Sequence, residues 1–135
     1  MINRIAALLA FLFFSSILGC GGGDGGVKLF QVSGTVTFNG QPVPYGSVNF
    51  APDTSAGNSG PQGSASIVDG KFDTRKDDGR GTVGGAMIAT ISGRSKNTSN
   101  ETEDQGILFQ NYELKIELPK STTTIDIDVP DKAGK

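Results

Sequence analysis

From residue 31 onward the apolar positions of this chain recur at every second residue, in short runs divided by turn-forming residues. In residues 32–38 (VSGTVTF), Val32, Gly34, Val36 and Phe38 share one face while Ser33, Thr35 and Thr37 share the other, the pattern of a half-buried strand. Asn39-Gly40 follows, the pair that a type I′ turn asks for because both central residues take positive φ. Residues 45–50 (YGSVNF) point Val48 and Phe50 inward and Ser47 and Asn49 outward. Pro42 and Pro44 fall just before them, where a missing N–H does least harm. A second hairpin is predicted with a strand over 64–68, a turn at Asp69-Gly70 and a return over 71–74, with Ile67 and Phe72 in the core. The nearly continuous apolar run of 86–91 (AMIATI) reads as a strand covered on both faces. Residues 112–118 alternate most cleanly, with Tyr112, Leu114, Ile116 and Leu118 on one side and Glu113, Lys115 and Glu117 on the other. The last run, 124–129, sends Ile125, Ile127 and Val129 inward and Asp126 and Asp128 outward.

Three polar stretches separate these runs. Residues 52–63 (PDTSAGNSGPQG) have hardly an apolar group and read as an exposed loop. Residues 75–85 (RKDDGRGTVGG) read as a second polar loop, and 92–105 as a long, disorder-like segment. Beyond the N-terminus no window sustains a helical period. Six or seven short strands at close spacing therefore predict an all-β fold, an antiparallel β-sandwich of about seven strands.

The N-terminus breaks this pattern. Arg4 precedes the apolar run of residues 5–18 (IAALLAFLFFSSIL), which is short of the ~20 residues that span a bilayer and suits the apolar region of an export signal. The run ends in Ile17-Leu18-Gly19-Cys20, which resembles the lipobox of bacterial lipoproteins. Residues 1–19 are thus expected to be a cleaved signal peptide and Cys20 the lipidated first residue of the exported protein. The alternatives are an ordinary secretory signal with a chance cysteine, or an uncleaved anchor. Cys20 is the single cysteine of the 135 residues, so no intramolecular disulfide exists to explain a thiol in an exported chain, whereas acylation does. In that family the cysteine takes a diacylglyceryl thioether and often a further acyl chain; at ~0.8 kcal/mol per buried CH₂, more than one chain makes the anchor stable. Residues 20–29 then form the lipidated residue and a glycine-rich tether (GGGDGG at 21–26). As a random coil the tether lets the domain of residues 30–135 float ~15–18 Å from its lipid. Gly21 stands where an aspartate would signal inner-membrane retention in some bacteria, which leans toward the outer membrane and leaves a periplasm-facing membrane leaflet as the alternative.

Composition narrows the function classes. The net charge is −2, and loss of Arg4 makes the exported part more acidic still; the basic residues are scattered, without interleaved aromatics. This removes the electrostatic footprint of nucleic-acid binding. There is no histidine, and a serine or cysteine nucleophile ordinarily needs a base beside it; a serine–lysine pair stays open, although no motif surrounds any serine. Asp73, Asp77 and Asp78 are candidate Ca²⁺ ligands on a loop, but Arg75 and Lys76 interrupt them and the EF-hand spacing is absent. Asp126 and Asp128 share a strand face like a catalytic pair, yet alternation with isoleucine is ordinary outward patterning. Gly79-x-Gly81-x-x-Gly84 matches the dinucleotide fingerprint in letters only, because a strand and not a helix is predicted after it. The sequons at Asn97 and Asn100 read as chance in a bacterial chain.

Several stretches resemble bacterial lipoproteins with a carboxypeptidase regulatory-like, or transthyretin-like, domain. They are residues 32–44 (VSGTVTFNGQPVP), 46–50 (GSVNF), 69–72 (DGKF), 117–120 (ELPK) and 127–130 (IDVP). The resemblance covers most of 31–130, although Gly85-Ala86-Met87 lacks the aromatic usual in that segment. It implies a prealbumin-like or Ig-like sandwich and a non-catalytic module with no resident cofactor, and it carries over no site residues. The reading is a lipid-anchored cell-envelope module, binding an envelope protein or glycan or serving a structural role, with the membrane reached through Cys20. The competing readings are a small Ca²⁺-dependent or hydrolytic envelope enzyme using the loop aspartates, and a carrier with an apolar pocket between its sheets.

Overall fold

Asn39 and Gly40 turn the chain with φ of 52° and 74°, as a type I′ turn requires, and so join β1 (Val32–Phe38) to the short β2 (Gln41–Pro42). The same geometry recurs at Asp69 and Gly70, φ 50° and 74°, between β4 (Gly63–Val68) and β5 (Lys71–Asp73). β3 (Tyr45–Pro52) lies between the hairpins in sequence, and β6 (Gly85–Arg94), β7 (Ile107–Leu118) and β8 (Thr123–Val129) complete the set. This computed structural model describes residues 26–95 and 106–134. Among them the only helical turns are short 3-10 segments at Thr54–Ala56 and Asp131–Gly134.

All strands belong to one sheet ordered β2-β1-β5-β4-β3-β6-β7, with β8 on the remaining side of β1. β8 runs parallel to β1, with Val32 opposite Thr123 and Phe38 opposite Val129; every other pair is antiparallel. The sheet curls into a half-barrel consistent with a prealbumin-like or Ig-like sandwich, which is the expected fold class. Its concave side holds the core: Val32, Val36, Val48, Phe50, Ile67, Phe72, Met87, Ile91, Phe109, Ile127 and Val129 are all buried. Phe50 and Phe72 pack with ring centroids 6.1 Å apart. Phe38 of β1 meets Phe109 of β7 at 5.0 Å, drawing distant parts of the sheet toward each other. Burying each such side chain contributes about 1.5–3 kcal/mol.

Five expectations need correction. The 92–105 stretch is not irregular from its start, because β6 continues through Ser92 and the buried Gly93 to Arg94. The 86–91 run is not covered on both faces: Met87, Ala89 and Ile91 are buried, while Ala86, Ile88 and Thr90 are half-exposed, because among the described residues no second layer covers the outer face. β7 begins at Ile107, five residues before the clean alternation, and a bulge near Ile91–Gly93 masks the period there. The 52–63 stretch is not wholly exposed, since β3 reaches Pro52 and Asp53 and Gly63 are buried. In the 75–85 stretch, residues 81–84 are buried: the Thr82 backbone exchanges hydrogen bonds of 2.7 and 2.9 Å with Phe30, and Arg80 does so with Ser64. Backbone pairing is blind to side-chain polarity, so hydropathy could not show it. The expected signal peptide 1–19, Cys20, most of the expected tether, and residues 96–105 with the two sequons lie outside the described residues.

Candidate functional site

Strand alternation sends Ser33 and Thr35 of β1, Lys71 and Asp73 of β5, and Ser66 and Val68 of β4 to the convex side of the sheet. Register aligns them, with Ser33 opposite Asp73, Thr35 opposite Lys71, and Lys71 opposite Val68. With Asp69 at the hairpin turn and Lys76 and Asp77 at the loop, they line a groove of about 630 Å³. Its floor includes Gly34, where an added Cβ would lie 1.6 Å from the Ile125 carbonyl oxygen. Glycine is required there because β8 approaches too closely for any side chain.

The candidate aspartates are distributed around this groove in two different roles. Asp73 is clamped by Arg75: Oδ1 accepts from the Arg75 backbone N–H at 3.0 Å and from Nε at 2.9 Å, and Oδ2 accepts from a terminal guanidinium nitrogen at 2.9 Å. The guanidinium hydrogen bond, helped by the backbone N–H, holds the Asp73 carboxyl down at about 2 and pushes Arg75 up. Both oxygens thus face a fixed cation of the chain's own. Asp77 lines the same groove and Asp78 does not. Among the described residues no three acidic, histidine or cysteine side chains converge on a point where a metal ion could sit.

Asp126 and Asp128 are tied across the parallel strand pair. Thr35 Oγ1 donates to Asp126 at 2.7 Å and Thr37 Oγ1 to Asp128 at 2.9 Å, while the Ser33 and Thr124 hydroxyls lie 3.3 Å apart. The outward aspartates therefore form one side of a hydroxyl–carboxylate ladder, and Thr35 links this ladder to the groove. The glycines at 79, 81 and 84 serve close packing: a Cβ would strike the Thr74 oxygen at Gly79 and the Phe30 oxygen at Gly81, at 2.5 and 2.7 Å. β6 follows the loop directly, so no helix N-terminus faces it.

Sequence reading missed the polar groups that pin the loops, the buried Asp53 and Thr74 and the half-buried Asn58. Asp53, with 6% exposure, accepts from Ser55 N–H at 3.0 Å and Ser55 Oγ at 2.5 Å, with Lys115 Nζ 3.9 Å away. The Ser55 hydroxyl, chiefly, lowers the Asp53 carboxyl below its usual range. Asn58 donates to the carbonyls of Gly84 and Ala86 at 2.9 and 2.7 Å, tying one loop to the start of β6. Thr74 Oγ1 accepts from Val32 N–H at 3.0 Å and donates to Gln31 at 2.7 Å. The Asp-x-Ser spacing at 53–55 was the one legible signal, since it favours an Asx-type turn; nothing local marks Asn58 or Thr74.

As a surface, the groove offers hydroxyls, ammonium groups, carboxylates and two apolar side chains, the exposed Val68 and the buried Phe72. Such a set can hydrogen-bond a polar partner from several directions. No protein-family model, curated protein or solved structure matches this chain.

Proposed function

We propose that the chain is exported, cleaved before Cys20, acylated there, and held at the cell envelope by its glycine tether. On this reading the β-sandwich is a non-catalytic module that binds an envelope protein or glycan through the convex groove. The observation that carries it is the Ile17-Leu18-Gly19-Cys20 ending of the apolar N-terminal run, with the single cysteine in the lipidation position. The groove supports the binding role. Its carboxylate Asp73 is neutralised within the chain by Arg75, and Ser33, Thr35, Ser66 and Lys71 line the groove beside it, an arrangement suited to polyhydroxylated or peptide partners.

The domain's direction fits a tether as well. The N-terminal segment enters beside Thr82, where Phe30 pairs, and β1 leads away from it to the Asn39-Gly40 turn. Asp69-Gly70 stands at that same far end, since the Gly70 carbonyl bonds Val36 N–H. The groove therefore runs from the anchored end to the free end.

Mass spectrometry of the membrane fraction should find a chain starting at acylated Cys20, and Cys20→Ala should release the protein from the membrane. Capture from intact cells by the lipidated protein should then return a partner that Lys71→Glu loses. An unmodified cysteine, or a capture pattern indifferent to the groove, would defeat the reading.

A further inference from the structure

The sheet ends in two strands, β7 and β8, that differ in what they offer a second copy of the chain. A strand edge with unpaired N–H and C=O groups is a template for another strand, and proteins guard such edges with charge. β8 is guarded: antiparallel pairing of two copies about Ile127 would set Asp126 opposite Asp128 of the second copy, twice. Like charges directly opposite are destabilising.

β7 carries the reverse pattern. Among the described residues β6 is its only strand partner. The Asp131–Gly134 turn lies against its start, where a Cβ on Gly134 would sit 2.7 Å from the Leu108 carbonyl oxygen. The outward residues Glu113, Lys115 and Glu117 are exposed. The inward residues Tyr112, Leu114 and Ile116 pack against the core yet stay half-buried, because among the described residues no strand lies beyond them. Antiparallel pairing of two copies about Leu114 places each Glu113 opposite Lys115 of the other copy. On the inner face it sets Tyr112 opposite Ile116 and Leu114 against its own counterpart. Both charge pairs are attractive, and the apolar row gains the neighbour it lacks. Asn111, with φ 52°, bends the strand and limits regular pairing to the stretch from Tyr112 onward.

We infer that β7 is a homodimerisation edge, joining two copies of this chain antiparallel about Leu114 into one continuous sheet. The Glu113–Lys115 cross-strand pairs set the register. The inference does not depend on the lipid anchor or on the groove.

The test is the mass of the full chain in detergent micelles, measured by sedimentation equilibrium, for the wild type, Glu113→Lys, Lys115→Glu and the double variant carrying both changes. The wild type should dimerise. Each single reversal creates two like-charge pairs and should raise the dimer Kd roughly tenfold, judged from the usual cross-strand pair energies; the double variant restores opposite charges and should recover the dimer. Circular dichroism melting separates dissociation from unfolding, which matters for Lys115 because it also lies 3.9 Å from Asp53. As a second readout, Leu114→Cys in a Cys20→Ala background should yield a disulfide-linked dimer on mild oxidation. A wild type that stays monomeric would overturn the inference, as would single reversals without effect on the dimer. A double variant that fails to recover, or a Leu114→Cys protein that stays folded without crosslinking, would overturn the Leu114 register and with it the inference.

Discussion

Gly34→Ala should be among the most damaging single-methyl additions in this protein, and its magnitude follows from the β1–β8 contact. A Cβ at residue 34 would lie 1.6 Å from the Ile125 oxygen and 2.7 Å from its carbonyl carbon. Both are backbone atoms, so no rotamer change relieves the clash, and the strands must part by more than an ångström. β1 is held on its other side by β2 and β5, so β8 has to yield. β8 supplies Ile127 and Val129, 3% and 0% exposed, to the core. At about 1.5–3 kcal/mol for each buried aliphatic side chain, complete displacement costs about 3–6 kcal/mol. That is a large share of the roughly 5–15 kcal/mol that holds a domain folded. At an unstrained, open site the same substitution stabilises by about 0.4–1 kcal/mol, by restricting the unfolded chain, so the sign itself is diagnostic. Urea unfolding followed by far-ultraviolet circular dichroism measures the difference, and hydrogen exchange should show lost protection in Thr123–Val129 before other strands. A Gly34→Ala protein with a midpoint equal to or above wild type, and with β8 amides still protected, would refute the close-approach argument.

Three further outcomes are expected. Phe50→Ala removes a fully buried ring that packs 6.1 Å from Phe72 and should cost about 3–5 kcal/mol in the same unfolding assay; a loss below about 1 kcal/mol would mean the core collapses around the gap. The Asp73 carboxyl is held at about 2 against an ordinary 3.8, so its depressed folded value adds stability that is complete above pH about 4 and lost as pH falls toward 2. Carboxyl NMR titration should show Arg75→Ala moving Asp73 back up toward 3.8; an unchanged titration would show that the guanidinium is not the cause. Thr35→Val and Asp126→Asn each break the 2.7 Å cross-strand hydrogen bond and should each cost under about 1.5 kcal/mol. A double-mutant cycle should show coupling between them, and strict additivity would demote the ladder to a coincidence of exposed side chains.

The parts of this fold that were legible in the sequence are those that short-range stereochemistry decides. Asn39-Gly40 and Asp69-Gly70 announce positive φ by residue type, and the alternations around Val48, Ile67, Phe72 and Ile127 announce which face is dry. What stayed hidden depends on partners distant in sequence. The parallel pairing of β8 with β1 joins residues about 91 positions apart, and nothing in the 123–129 run specifies the direction of its neighbour. The same separation concealed why Asp126 and Asp128 face outward: they accept from Thr35 and Thr37, and each half of that ladder alone reads as ordinary strand polarity. The loop aspartates show the converse. Their proximity in sequence invited a cation site, but Arg75, two residues from Asp73, folds back on it and supplies the positive charge from within. A cluster of acidic letters becomes a ligand set only when no side chain of the chain reaches it first. In the groove Arg75 reaches Asp73, leaving the hydroxyls, the lysines and the carboxylates of Asp69 and Asp77 to meet a partner.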